Sequence, residues 1–288
     1  MQSESLAPID TLCIVCGGDQ RPAFRRGEFI YGRCRACGLL SISPIPTAEL
    51  IESHYHAKFK AGNYEAARRY ASEYRRIYRQ YADFISPKPG DRILDVGCFT
   101  GELIHVLAER GADVYGLELQ AEAVAIANGR LPGRVYQADV FGTRFPAGPY
   151  DIVTMMGVIE HVTEPAAFLK RANELLKPGG ELFLQTPDAS SVVAKVTGTH
   201  WPPLAPVEHI HLFSRTALRH LLKHAGFSRM RFRCHVKRLP VAYVYENFAN
   251  FGPEWRKVFK PVEAILGKTV LPFYGGEMMA SATKDHLG

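Results

Sequence analysis

Hydrophobic and polar positions alternate along the middle of this chain in two rhythms. Arg92-Ile93-Leu94-Asp95-Val96 is a short apolar run of the kind that forms a buried strand, and Glu102 to Arg110 spaces its apolar residues as a helix does. The pairing recurs. Val114 to Leu119 reads as a second strand, Arg134 to Val140 as a third and Tyr150 to Met156 as a fourth. A helix from Phe168 to Leu176, stopped by Lys177-Pro178-Gly179-Gly180, leads into a fifth from Glu181 to Pro187. This alternation predicts an α/β fold with a doubly wound, mostly parallel sheet. Met230 to His235 reads as a sixth strand, and Glu277 to Lys284 as a seventh on an antiparallel edge. Thr216 to Ala225 is a helix closed by Gly226-Phe227. Tyr243 to Tyr274 is rich in aromatics, and either helices over a ligand site or a subunit contact would account for it.

Ahead of the sheet, helical spacing runs from about Tyr64 to Ile85. Tyr70, Tyr74, Ile77, Tyr78, Tyr81, Phe84 and Ile85 share one face, and Arg68, Arg69, Arg75, Arg76 and Arg79 fall mostly away from it. A packed aromatic stripe with a solvated basic back explains the pattern. A helix lining a ligand pocket, with arginines set to meet phosphate, is the functional alternative.

The chemistry concentrates at strand ends. Asp95 closes the first strand beside the turn Gly97-Cys98-Phe99-Thr100-Gly101, whose glycines let backbone approach a ligand. Glu118 ends the second strand and can accept from ribose hydroxyls, and Asp139 ends the third. One such acid is often only a turn former. Three on one rim with the glycine turn point to a nucleotide-like ligand. A dinucleotide site prefers G-x-G-x-x-G, which brings pyrophosphate to a helix N-terminus. The spacing here is Gly97-x-x-x-Gly101, which suits a cofactor without phosphate.

Cys13-Ile14-Val15-Cys16-Gly17 and Cys34-Arg35-Ala36-Cys37-Gly38 form two C-x-x-C-G knuckles. The spacing is that of a four-cysteine Zn2+ site, and four thiolates leave no open position, so the metal is expected to be structural. Two redox pairs are the alternative. The expected division is a zinc ribbon over 1–43, a linker with the aromatic and basic helix over 44–88, and the α/β domain over 89–288. An aromatic-rich insertion is placed at about 238–275.

Composition narrows the classes. Of 35 Lys and Arg, residues 1–90 hold 13, against 9 of the 29 Asp and Glu, so most of the +6 charge lies at the front. That bias permits an acidic substrate or RNA and requires neither. No apolar run is long enough for a membrane span, and Met1 to Asp10 lacks a signal-peptide core. Paired cysteines suit a reducing compartment, so the cytoplasm is expected.

Residues 92–187 resemble a class I S-adenosylmethionine-dependent methyltransferase. The matching pieces are Asp95-Val96-Gly97-Cys98-Phe99-Thr100-Gly101, Glu118, Asp139-Val140, Val158-Ile159-Glu160-His161-Val162 and Lys177-Pro178-Gly179-Gly180, in that order. The resemblance implies a Rossmann-like seven-stranded sheet and S-adenosylmethionine as cofactor. By position, Gly97, Cys98, Phe99 and Gly101 would lie against its methionine part and ribose. Glu118 would hold the ribose hydroxyls, with Leu119 against adenine. Asp139 would accept from the adenine amino group, Val140 would lie beside it, and Met156 and Gly157 would line the methionine side. The family pattern usually has glycine where Phe99 stands, and a side chain there would narrow or cover the pocket. The segment Glu208-His209-Ile210-His211 is similar to one in zinc-ribbon methyltransferases acting on nucleotide-linked sugars and related small molecules. In some of these a Glu-His pair faces the acceptor. They usually carry a further C-terminal domain for which this chain is too short.

The expected reaction is methyl transfer to a small hydroxylated acceptor, with His209 as base and Glu208 fixing its tautomer. His161 is the second candidate, because it follows the fourth strand. A histidine that only ties its loop to the sheet is the competing explanation for each. Two rival functions stand beside this one. The first is an RNA methyltransferase gripping the backbone with ribbon and basic helix, disfavoured because the basic residues are few. The second is a cofactor-binding module without catalysis. The acceptor, the oligomeric state and the use of 238–275 are not readable from the chain.

Overall fold

In a computed structural model, the chain is described for residues 12–58, 71–142, 145–146, 148–248, 257, 260–261 and 264–285. Arg68, Arg69 and Tyr70 lie outside these, as do Met1 to Asp10 and positions 249–256 of the aromatic segment. The chain opens with three antiparallel strands, β1 (Gln20–Arg26), β2 (Phe29–Cys34) and β3 (Leu40–Ser43). Helices α1 (Ala48–Lys58) and α2 (Ala71–Ile85) follow.

The α/β unit then begins. Strands β4 (Arg92–Val96), β5 (Asp113–Glu118), β6 (Val135–Gln137), β7 (Tyr150–Met156) and β8 (Leu176–Pro187) are parallel. They alternate with α3 (Glu102–Glu109), α4 (Ala121–Arg130) and α5 (Pro165–Leu175). Ile93, Leu94, Val153, Leu182 and Leu184 are buried, as both-face coverage of a parallel sheet requires. After β8 come α6 (Val192–Thr197), β9 (His211–Leu212), α7 (Arg215–His224), β10 (Phe227–Pro240), α8 (Val241–Phe248) and β11 (Val270–Lys284).

The seven-stranded sheet has the order β10-β11-β8-β7-β4-β5-β6. Its direction of growth reverses between β4 and β7, and the crevice at that switch point is where open α/β sheets hold ligands. The doubly wound, Rossmann-like expectation holds, with corrections at the boundaries. The helix does stop before Lys177, at Leu175, but the strand expected from Glu181 already begins at Leu176 and takes in Lys177 to Gly180. The third strand ends at Gln137 and not at Val140. The seventh strand is antiparallel but is no edge: β11 lies between β8 and β10, and β10 is the edge. The segment read as an insertion over 238–275 is partly strand, since β10 continues to Pro240 and β11 starts at Val270.

Two features position the rest. On α2, Ile77, Tyr81 and Ile85 are buried, and Tyr74, Tyr78 and Phe84 rest partly covered against the same core. Arg75 pairs with Glu109 across to α3, so the packed-stripe reading describes the described part of this helix. The described residues of the ribbon share their core with the α/β unit. Phe29, Tyr31, Leu40 and Ile42 share one cluster with Trp201, Leu204, Ile210 and Leu212, and Cys13, Cys34, Cys37 and Leu39 share another with Phe213 and Ala217. Tyr31 and Ile210 are fully buried there. Each such side chain contributes roughly 1.5–3 kcal/mol, so the ribbon is joined firmly to the α/β unit.

Candidate functional site

The turn after β4 is shaped for close approach. Gly97 has φ +72°, and a Cβ on it would lie 2.7 Å from Val158 Cγ2. Gly101 has φ +76°, with a Cβ position 3.0 Å from Ala127. Phe99, between them, is also left-handed at φ 48°. That conformation costs a non-glycine residue about 1–2 kcal/mol and is typical of functional turns. Its N–H donates to Glu118 Oε2 at 2.9 Å, while Glu118 Oε1 accepts from the N–H groups of Leu119 and Gln120 at 2.7 and 3.0 Å. Glu118 therefore ties the β4 and β5 turns together, and Leu119 projects beside it, 63% exposed.

Asp95 sits beneath this turn. It is buried, accepts from Thr154 Oγ1 at 2.6 Å, and burial pushes its carboxyl up to about 7 despite that bond. Asp139 is exposed and uses Oδ1 to accept from the N–H groups of Phe141 and Gly142. Met156 ends β7, and Gly157 follows at φ +70° with its N–H on Gln185 O at 2.9 Å. The structure thus brings Asp95, Gly97, Phe99, Gly101, Glu118, Leu119, Met156 and Gly157 to one rim. Cys98 and Val140 differ: both side chains are buried in the cores, Cys98 against Gly116. Only their backbone can meet a ligand.

A histidine pair stands after β7. The rings of His161 and His209 are 4.8 Å apart, and one donor atom each from Glu160, His161 and His209 lies within 4.8 Å of the others. His161 Nδ1 is 2.7 Å from the carbonyl of Glu208, and His209 Nδ1 is 2.6 Å from the carbonyl of Pro203. A carbonyl only accepts, so both Nδ1 atoms carry the proton and both Nε2 atoms are the basic nitrogens. The carboxylate beside the pair is Glu160, with Oε1 3.9 Å from His161 Nε2. Glu208, expected as the partner of His209, reaches the pair through its backbone carbonyl on His161. Glu160 is 2% exposed, its Oε2 has no hydrogen-bond partner among the described residues, and burial pushes its pKa up to about 8. An acid and two imidazoles also form a donor set for a divalent cation. Glu160 lies within the motif Val158 to Val162, where the sequence gives it no separate role. An acid inside an apolar run was the available signal.

A second group escaped the sequence reading altogether. Glu277 Oε1 accepts from Lys237 Nζ at 2.6 Å, and its Oε2 faces His235 Nδ1 and Gln185 Nε2, each at 3.1 Å. Burial alone would raise this carboxyl, but Lys237 and His235 override it and hold it down at about 2. Glu277 and Lys237 line a cavity of about 560 Å³ with Leu239, Tyr243, Phe273 and Pro203. Gln185 links the wall of this cavity to Gly157, and Pro203 links it to His209.

The four knuckle cysteines converge as well. Cys13 and Cys37 Sγ are 3.5 Å apart, as are Cys16 and Cys34, and all four lie within 4.8 Å. Tetrahedral zinc with bonds of about 2.3 Å sets sulfur atoms roughly 3.8 Å apart, so the thiols fit the ion. Gly17 and Gly38 take φ +66° and +75°, and Cys37 N–H points at Cys34 Sγ.

Comparison with known proteins adds three findings. A family model described as a methyltransferase domain matches residues 67–229. A ubiquinone biosynthesis O-methyltransferase of Acinetobacter baylyi is 40% identical over 106 residues, 34% of this chain and 44% of that protein. A protein of the same description from Leptothrix cholodnii is 37% identical over 105 residues with the same coverage, so the chain spans under half the length of these relatives. A SAM-dependent methyltransferase structure from Thermotoga maritima superposes with a TM-score of 0.51 at 20% identity, over 82% of this chain and 98% of that one. Likeness at that identity speaks for the fold.

Proposed function

This chain belongs to the methyltransferase-domain family, and from that premise we propose that it methylates a hydroxyl of a small molecule held in the cavity beside Glu277. The observation that carries the reading is the link between cofactor rim and cavity: Gly157 and Glu277 both bond Gln185. S-adenosylmethionine, the family's methyl donor, supplies an electrophilic methyl group on a sulfonium. The rim fits such a ligand, because Gly157 leaves open a space that faces the carboxyl oxygen of Glu160 and the amide oxygen of Gln185, 3.9 and 3.8 Å from where its Cβ would stand. Those oxygens favour a positive centre in front of them.

Each residue then has a role. Glu118 takes the ribose hydroxyls with Oε2, which accepts one backbone N–H, that of Phe99, where Oε1 accepts two. Asp139 turns Oδ2 to the adenine amino group, and Leu119 covers the ring. Asp95 braces the turn from below. The cavity wall aligns the acceptor hydroxyl in line with the methyl group, which is the main task in a displacement of this kind. His209 takes the hydroxyl proton at Nε2, and the His161 ring, 4.8 Å away, lies beside the imidazolium that forms. The ribbon over 1–43 holds a structural zinc ion on Cys13, Cys16, Cys34 and Cys37.

The O-methyltransferase description of the relatives supports a hydroxyl acceptor, over the part of the chain that aligns. Among the described residues no helix is long and apolar enough to cross a membrane. The test is transfer of labelled methyl from S-adenosylmethionine into small-molecule, RNA and protein fractions. Label among small molecules supports the proposal. Label in RNA would replace it, and binding of S-adenosylhomocysteine without any transfer would leave a non-catalytic module.

A further inference from the structure

The N-terminal ribbon reaches the acceptor side of the site by three routes. Strand β3 pairs antiparallel with β9, Leu40 opposite Leu212 and Ser41 opposite His211, and Ile42 N–H donates to Ile210 O at 3.1 Å. Ser41 Oγ is 3.1 Å from His211 Nδ1, and Ser214 Oγ donates to the carbonyl of the zinc-knuckle residue Cys37. Helix α1, directly after the ribbon, places Tyr55 Oη 2.9 Å from His161 Nδ1. The same segment is gripped from the other side, where the N–H groups of Ile210 and His211 donate to Glu160 O at 2.8 and 3.2 Å.

Residues 208–214 are thus a short bridge. Ribbon strand β3 holds one side, the Glu160 loop holds the other, and His209 stands at its start. The cofactor turn is held differently. Gly97 and Cys98 N–H donate to Leu117 O, and Phe99 N–H donates to Glu118, all between neighbouring loops of the parallel sheet.

We infer that the ribbon and α1 are positioning elements for the His161–His209 pair, acting through Ser41 on the 208–214 bridge and through Tyr55 on His161. This rests on reading that pair as acceptor-side chemistry. Its consequence is a division of labour: disturbing the ribbon strikes the transfer step and leaves cofactor binding alone. The carbonyl of Glu208 requires a proton on His161 Nδ1, and the Tyr55 oxygen beside it restricts the ring to one orientation. Ser41 does the same for His211, which is 1% exposed and spans the gap from β3 to Thr163 O. A displacement of about 1 Å at a base costs on the order of a hundredfold in rate, so small losses of such contacts become visible in turnover.

The test uses the full chain with Tyr55→Phe and Ser41→Ala. Long-range proton–nitrogen spectra of the histidine side chains report tautomer and environment, and calorimetry with S-adenosylhomocysteine reports the cofactor site. The expected result has three parts. His161 signals move in Tyr55→Phe, His209 and His211 signals move in Ser41→Ala, and affinity for S-adenosylhomocysteine stays within about twofold, as for uncoupled sites. Labelled methyl transfer to the small-molecule fraction falls tenfold or more, by the order of magnitude above. Unmoved His161 and His209 signals with unchanged turnover would make the ribbon an appendage and overturn the inference. So would cofactor affinity falling in step with turnover, which would mean general loosening. If the unmodified protein labels no small molecule, the proposed function falls, and the histidine spectra still decide the coupling.

Discussion

Replacing Glu160 with glutamine should reverse part of the pH dependence of stability. The carboxyl is 2% exposed and its Oε2 has no hydrogen-bond partner among the described residues, and burial raises its pKa to about 8. The unfolded chain releases that proton near the ordinary value of 4.5. The sign follows: the stability tied to this proton is complete below 4.5 and is lost as pH rises through 8. Three pH units within that window correspond to about 4 kcal/mol. Glutamine has no proton to release and keeps the shape. The difference in unfolding free energy between Glu160→Gln and the natural chain should therefore swing by about 4 kcal/mol in favour of the variant from about pH 5 to about pH 9. Urea unfolding at a series of pH values measures it, with other titrating groups cancelling in the difference. A difference constant to within about 1 kcal/mol would refute the reasoning, because Glu160 would then ionise in the folded protein as it does in water. Glu277 supplies a control of opposite sign. Held down at about 2, it stabilises the fold above its unfolded pKa, and that stability is lost as pH falls through 2.

Other outcomes follow from the same geometry. Glu118→Ala removes the acceptor of three backbone N–H groups and should weaken S-adenosylhomocysteine binding by about 2 kcal/mol or more, read by calorimetry. Gly97→Ala places a methyl group 2.7 Å from Val158 Cγ2 at positive φ, so cofactor affinity should fall, and Val158→Ala should restore it only in part. His209→Ala should lower methyl transfer by about a hundredfold or more with cofactor affinity unchanged. Metal analysis of protein purified without chelator should find about one zinc per chain, and Cys34→Ser should lose it.

Much of this architecture could be read from the chain because its signals are local. The glycine spacing predicts a tight turn at Gly97 and Gly101, and both are left-handed. Glu118 was placed at a strand end, and it ends β5. The knuckle glycines follow the same logic. What escaped was set by pairing between distant segments. Glu277, His235 and Lys237 meet because β10 and β11 pair with an irregularity between Cys234 and Val236, which no local pattern marks. Tyr55 meets His161 across 106 residues. Strand β9 has two residues and no room for an alternation to show. Asp139 looked like a strand end by hydropathy, yet its own turn captures Oδ1 after β6 has stopped. Adjacency in the chain pairs Glu208 with His209, whereas the backbone sends their groups to different partners.

The place of β11 bears on the order in which the molecule assembles. Its neighbours β8 and β10 both precede it in the chain, and neither pairs with the other. During synthesis β8 waits with an open edge until residues 270–284 leave the ribosome, some ninety residues after its own emergence. Non-local pairings of this kind are slow to close, and the waiting edge is a template for wrong partners. The hairpin of β10 and β11 must then dock as a unit, bringing Lys237 and Glu277 into the cavity together. The β10–β11 side of the cavity thus forms after the rim on β4, β5 and β7 has what it needs to form.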